Sequence, residues 1–131
     1  MSNRNTDPTP TGVLSLQTIA MPADTNPNGD IFGGWVLSQM DLAASIHARR
    51  IAKGRVATVA ISNMAFLKPV PVGSTVSCYT ELEEVGRTSM RFLVDVWCTE
   101  QESDQPFKVT EGEFIFVAIN DEGKTRVVPE N

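Results

Sequence analysis

One stretch of helical character, followed by four stretches of period two, limits this chain to very few folds. From about Gly33 to about Lys53 the sequence reads as a helix whose first half is apolar on nearly every side, ending at Gly54, a residue suited to a left-handed cap. His47, Arg49, Arg50 and Lys53 fall in its later turns, where cations complement the negative end of the helix dipole. Beyond Gly54 the segments 56–68, 74–85, 88–100 and 107–120 alternate and are rich in Val, Ile, Phe and Thr, which predicts long strands. Turns are expected at Pro69-Val70-Pro71-Val72-Gly73, at Gly86-Arg87, around Ser103 to Pro106, and at Asn120 to Gly123.

Upstream, Gly12 to Ala20 alternates well enough for a strand, and Met21 to Gly29 then forms a loop with two prolines, two asparagines and a glycine. Connections this short join antiparallel neighbours. A helix that is apolar all round needs other structure wrapped about it. The expected architecture is therefore α+β, a long central helix wrapped by a curved antiparallel sheet of about five or six strands, the hotdog arrangement. With 131 residues and 41% hydrophobic content the chain can bury one core, so a single domain is expected over residues 12–131. Residues 1–11, rich in Asn, Thr and Pro, are expected to form a flexible arm.

The formal charge of −5 argues against nucleic acid or an anionic membrane surface as the main partner, since both need concentrated Lys and Arg. No apolar run approaches the roughly 20 residues that span a bilayer, and the N-terminus is polar, so neither membrane insertion nor a secretory signal is expected. Cys78 and Cys98 fall in adjacent strands, but a hairpin turning at Gly86-Arg87 does not set them opposite each other. Free thiols in a reducing, cytoplasmic compartment follow. No CxxC motif or histidine cluster points to a metal, and no redox cofactor is expected.

Within the helix, Asp41 stands among Met40, Leu42, Ala43 and Ala44, where a carboxylate is costly unless it is paired or used. Seven residues earlier, about 10 Å along the axis, Gly33 and Gly34 open the helix. Their amides lack intrahelical partners and lie at the positive end of the dipole, so they can polarise a carbonyl oxygen, Gly34 more strongly; equally, two glycines permit a sharp entry turn. Asn26, in Thr25-Asn26-Pro27-Asn28-Gly29, can donate its amide to water or carbonyl oxygen, or can serve the turn. Asp30 is expected to stabilise the helix start. The sole histidine, His47, is rotated roughly 240° from Asp41, which argues against a catalytic pair and for a role at the helix C-terminus.

Three blocks, DTNPNGDIFGGWVLSQMD, GRVATVAISNMAFLKPVPVGSTV and VGRTSM, resemble the YciA-type bacterial acyl-CoA thioesterases of the hotdog superfamily, and the resemblance runs from about Gly12 to Pro129. It implies hydrolysis of acyl-CoA to free acid and CoA, with Asp41 as the carboxylate and Asn26 as its partner from the opposite subunit of a dimer. It further implies a homo-oligomer, a hexamer built as a trimer of dimers, CoA bound at subunit boundaries, and no cofactor beyond the CoA of the substrate. Asp41 would serve as general base or as nucleophile, with both routes open.

CoA carries phosphates, and Arg55, Lys68, Arg87 and Arg91 are the bases near strand ends; Arg87 is the first choice, with the Ser89 hydroxyl as a further donor. Ile31, Phe32, Met64 and Phe66 are candidates for the apolar wall of an acyl slot, although core packing explains each of them without a ligand and is the preferred reading residue by residue. The alternative function is an acyl-CoA sensor that binds without hydrolysis, for which the chain has little room to carry an output domain. A hydratase or dehydratase is weakened by the placement of His47. Chain-length preference depends on how sheet and helix pack and is left open.

Overall fold

The computed structural model describes residues 9–130, so the expected arm lies outside the described residues as far as residue 8, as does Asn131. In chain order the elements are β1 (Val13–Ile19), a short 3-10 turn (Pro22–Asp24), α1 (Gly33–Ala52), β2 (Val56–Phe66), β3 (Thr75–Val85), β4 (Ser89–Thr99) and β5 (Phe107–Ala118). The strands form one antiparallel sheet in the order β1-β3-β4-β5-β2. The β3-β4 hairpin turns at Gly86-Arg87 as expected, with the Gly86 amide donating to the Ser89 carbonyl at 2.8 Å.

The helix lies across the sheet and buries Val36, Met40, Ala43, Ala44, Ala48 and Ala52. Four of these six are alanines, whose small side chains let the helix axis come close to the sheet. Phe92, Val94 and Val96 of β4 and Phe114 and Phe116 of β5 complete the core, with Phe92 and Phe116 edge to face at 6.0 Å between ring centres. One flank of the helix is left uncovered. Leu42 is 52% exposed and Ile46 39% exposed, because five strands curl over one side only and do not close. The wrapped helix expected from the sequence is thus half-wrapped within one chain.

Both helix ends differ in detail from expectation. The left-handed cap is Lys53 (φ 54°) rather than Gly54, and its amide donates to the Arg49 carbonyl. At the start, the N-cap position is Phe32, which makes no side-chain cap. Asp30 contributes its backbone carbonyl, which accepts from the Asn26 amide at 2.7 Å, so its part is to close the preceding loop.

The edge strand β2 pairs only with β5, and its register slips twice, between Thr58 and Ala60 and between Ser62 and Ala65. Asn63 sits in the second slip at φ 52° and donates its side-chain amide to Glu113. Cys98 pairs with Val76 and Cys78 with Val96, so the two cysteines are diagonal neighbours rather than opposite, and both are free and buried. Burial pushes the Cys78 thiol up to about 12 and the Cys98 thiol up to about 11, so both stay protonated at neutral pH.

Candidate active site

Asp41 lies midway along α1 on the flank facing the edge strand, partly exposed, and its Oδ1 accepts a hydrogen bond from the Thr58 hydroxyl of β2 at 2.6 Å. A helix residue and a strand residue seventeen positions apart thereby fix one carboxylate oxygen, while the other makes no hydrogen bond among the described residues. Thr58 escaped the sequence reading. An alternating strand displays a threonine every few residues, and only the pairing of β2 with β5, which sets Thr58 opposite buried Phe116, singles this one out.

Gly33 and Gly34 open α1 without backbone acceptors among the described residues; the first amides that turn inward are those of Trp35 and Val36, both donating to the Phe32 carbonyl. Both glycines are exposed, and a side chain at Gly34 would meet nothing within 4 Å. At Gly33 an added Cβ would lie 3.5 Å from the Phe66 ring. The two amides thus present a donor pair at the positive end of the dipole, open to an incoming oxygen.

The Asn26 side chain divides its two ends. Its Oδ1 accepts from the amides of Asn28 (2.9 Å) and Asp30 (3.1 Å), which builds the turn, while its amide nitrogen makes no hydrogen bond among the described residues. The structural and donor readings of Asn26 therefore coexist. No hydrogen bond among the described residues joins Asn26, Gly33 or Gly34 to Asp41 within the chain.

His47 takes a different place from the one expected. Its Nδ1 lies 2.8 Å from the Thr80 hydroxyl, which is in turn 2.6 Å from that of Ser15, and its ring packs 5.0 Å from Phe92. Burial, then the nearby Arg50 charge, lower its pKa. It belongs to a polar link between helix and sheet rather than to the helix terminus.

The residues suggested for the CoA and acyl parts separate into three places. Gly33, Phe66 and Lys68 come together, with Ile31, around a cavity of about 340 Å³ beside the helix start. The Lys68 ammonium sits 5.8 Å over the Phe107 ring. Phe32 is exposed next to this cavity in sequence but does not line it. Arg87 lines a second hollow of about 490 Å³ with Leu82, Val85 and the terminal segment Val127 to Glu130, and the Ser89 hydroxyl fits beside Gly86, where a Cβ would approach it to 2.8 Å.

Arg55 is partly committed, since its Nη1 donates to the carbonyls of Asn120 and Asp121. It also borders a hollow of about 630 Å³ with Arg49 and Arg50, two arginines the sequence reading assigned only to the dipole. Arg91 faces Glu83, Glu84 and Glu113 at 3.8 to 4.0 Å and is engaged by carboxylates. Among the described residues no cluster of three His, Cys, Asp or Glu could hold a metal, and no helix is long and apolar enough to cross a membrane.

A single long helix on an antiparallel five-stranded sheet places the chain in the class of hotdog-fold thioesterases, one of which, from Campylobacter jejuni, superposes with a TM-score of 0.85 at 38% identity over 90% of this chain and 91% of its own. A family model described as the thioesterase superfamily matches residues 28–104. The chain is 50% identical over 126 residues to the acyl-CoA thioester hydrolase YciA of Salmonella typhimurium, covering 94% of this chain and 95% of the relative. Among solved structures, the hexameric thioesterase of Yersinia pestis superposes with a TM-score of 0.90 at 48% identity, covering 94% of this chain and all of that one. A hexameric broad-specificity acyl-coenzyme A thioesterase, solved as an aspartate-to-alanine mutant, superposes with a TM-score of 0.89 at 47% identity over 92% of this chain and 89% of its own. The protein belongs to the YciA-type acyl-CoA thioesterases of the thioesterase superfamily.

Proposed function

We propose that this protein hydrolyses acyl-CoA thioesters to free carboxylic acid and CoA, with Asp41 as the catalytic carboxylate. The observation that carries the reading is the Asp41 carboxylate itself, partly exposed, tethered at one oxygen by Thr58 and without a hydrogen bond at the other among the described residues. The amides of Gly34 and Gly33 take the thioester oxygen as it gains negative charge, a stabilisation that counts because those donors are held in place by the helix start before the substrate arrives. In the general-base route Asp41 accepts a proton from water as the water oxygen bonds to the carbonyl carbon. Collapse of the tetrahedral adduct then breaks the C–S bond, and the proton passes to the departing CoA sulfur. In the nucleophilic route the carboxylate bonds to the carbonyl carbon and CoA leaves as thiolate; water then cleaves the resulting anhydride, restoring the Asp41 carboxylate and supplying the proton that the thiolate takes up.

Asn26, through its free amide nitrogen, orients the water or the carbonyl. Because Asn26 and the glycine amides do not meet Asp41 within one chain, the complete site is read as shared between two subunits. The unpaired edge of β2, with Val59 56% exposed, and the bare flank of α1 at Leu42 and Ile46 supply the apolar surface for such a dimer. The hexameric relatives support assembly of three such dimers. Arg87 and Ser89 hold CoA phosphate oxygens near the β3-β4 turn, with Arg55 beside Arg49 and Arg50 as further positive charge, while the cavity at Phe66 and Lys68, entered past Phe32, takes the acyl group. Two unbridged thiols fit a reducing cytoplasm.

The test is release of free CoA thiol from short, medium and long acyl-CoAs by wild type and Asp41→Asn, a substitution that keeps volume and removes charge. Wild type releases thiol, and the variant, folded and oligomeric, loses about a hundredfold or more in kcat. Acyl-CoA binding with no thiol release by wild type would return the protein to the sensor reading.

A further inference from the structure

We infer that the cavity beside the start of α1 selects acyl groups that carry an oxygen of their own, and that the Thr110 hydroxyl is the residue that reads it. This rests on the hydrolase reading above and specifies its substrate class.

The cavity, about 340 Å³, is walled by Ile31, Val36, Phe66 and Val70, with Gly33 at its mouth. Against that apolar lining stands Thr110, also in the wall, 1% exposed and with no hydrogen-bond partner for its hydroxyl. Its position explains why. On β5 it pairs with Phe66 of β2 on one side and Val96 of β4 on the other, so neither cross-strand neighbour offers a side-chain acceptor. Along β5 the residues on the same face are Gly112, Phe114 and Phe116, which offer none either.

A buried hydroxyl without a partner is costly, whereas valine would fill the same branched shape on a strand at no such cost. The Lys68 ammonium, from which a hydroxyl could accept, is instead held over the Phe107 ring and makes no hydrogen bond to Thr110. The position therefore calls for an oxygen arriving from outside.

The direction of arrival follows from Gly33. A thioester carbonyl held at the opening amides of α1 has its acyl chain led along the Phe66 ring, which packs close to Gly33, and into the cavity where Thr110 waits. A plain alkyl chain fills the apolar walls and leaves the hydroxyl unpaired. A hydroxyl a few bonds beyond the carbonyl pairs with it, and sites built around a buried polar group discriminate strongly for a substrate that satisfies it.

The experiment compares kcat/KM for 3-hydroxybutyryl-CoA and 4-hydroxybutyryl-CoA, each as a ratio to butyryl-CoA, in wild type, Thr110→Val and Thr110→Ser. In Thr110→Val at least one ratio falls about fivefold, the effect of one lost hydrogen bond, and Thr110→Ser keeps it. The inference is overturned if both ratios in Thr110→Val equal those of wild type, in which case the hydroxyl serves an ordered water only. It is equally overturned if serine loses the preference as fully as valine, because packing and not the hydroxyl would then be responsible. Should wild type release no thiol from any of the three, the hydrolase reading fails by itself. The same ratios taken from calorimetric Kd values would then still decide what the cavity prefers.

Discussion

Gly112→Ala is a one-carbon change whose cost is set by a single neighbour. Gly112 lies at the centre of β5 facing the helix, and a Cβ there would stand 2.2 Å from Met64 Sδ and 3.5 Å from the Met40 methyl. Ordinary contact is about 3.5 to 4.0 Å, so the Met64 sulfur must retreat by about 1.5 Å. Met64 is half-buried and its flexible side chain can move by changing rotamer, but Asn63, with its left-handed backbone and bond to Glu113, holds the strand beside it, so the shift falls on the Met64 side chain alone. Overpacking costs about 1 to 3 kcal/mol, and the cost here lies toward the lower end of that range. For 131 residues the range is a fall of about 4 to 11 °C in Tm, again with the lower end expected.

The control is Met64→Ala. With the sulfur gone, Gly112→Ala meets only the Met40 methyl at an ordinary distance, and its remaining effect, a stiffer unfolded chain, stabilises by about 0.4 to 1 kcal/mol. The same substitution thus changes sign between the two backgrounds. Urea denaturation of the four proteins of this cycle, at one fixed protein concentration because association adds to stability, measures the coupling. An equal penalty for Gly112→Ala with and without Met64 would refute the reasoning.

Two further outcomes follow from the site. Thr58→Val removes the 2.6 Å hydrogen bond to Asp41 and lowers kcat about fivefold to tenfold with an unchanged circular dichroism spectrum, the exposure of Thr58 moderating the effect; a kcat within twofold of wild type would show that the carboxylate is oriented without it. His47 has a lowered pKa in the folded state, so the unfolded chain takes up the proton first as pH falls, and stability present above about pH 6.5 is lost between that value and the lower folded pKa. His47→Gln flattens this part of the curve of Tm against pH, and an identical slope in the variant would place the loss on other groups.

The helix was legible because its apolar residues recur at helical spacing from Val36 to Ala52, and the strands because Val, Ile and Phe alternate along β2 to β5. Asp41 stood out for a reason equally local, a charge among apolar neighbours. Asn26 was legible only in part, since a loop asparagine suits both a turn and a donor, and here it performs the first with its oxygen while its nitrogen is left for the second. His47 was misplaced because helix position says nothing of Thr80, thirty-three residues away, which captures the ring.

Periodicity, turn chemistry and one misplaced charge, all short-range properties, were sufficient for the elements, their antiparallel sense and the residue proposed as the catalytic carboxylate, but not for strand order. The short Pro69 to Gly73 connection was expected to join neighbours, whereas β2 pairs with β5 and β3 with β1 and β4. The partners of that chemistry were decided by tertiary structure, because they depend on register. The register of β2 on β5 sets Thr58 opposite buried Phe116, where it reaches Asp41, the second slip in β2 carries Met64 over Gly112, and the pairing of β5 between Phe66 and Val96 leaves Thr110 with a buried hydroxyl and no acceptor. A shift of one residue along a strand turns every side chain to the opposite face, and no local pattern records which of two neighbouring threonines will look inward.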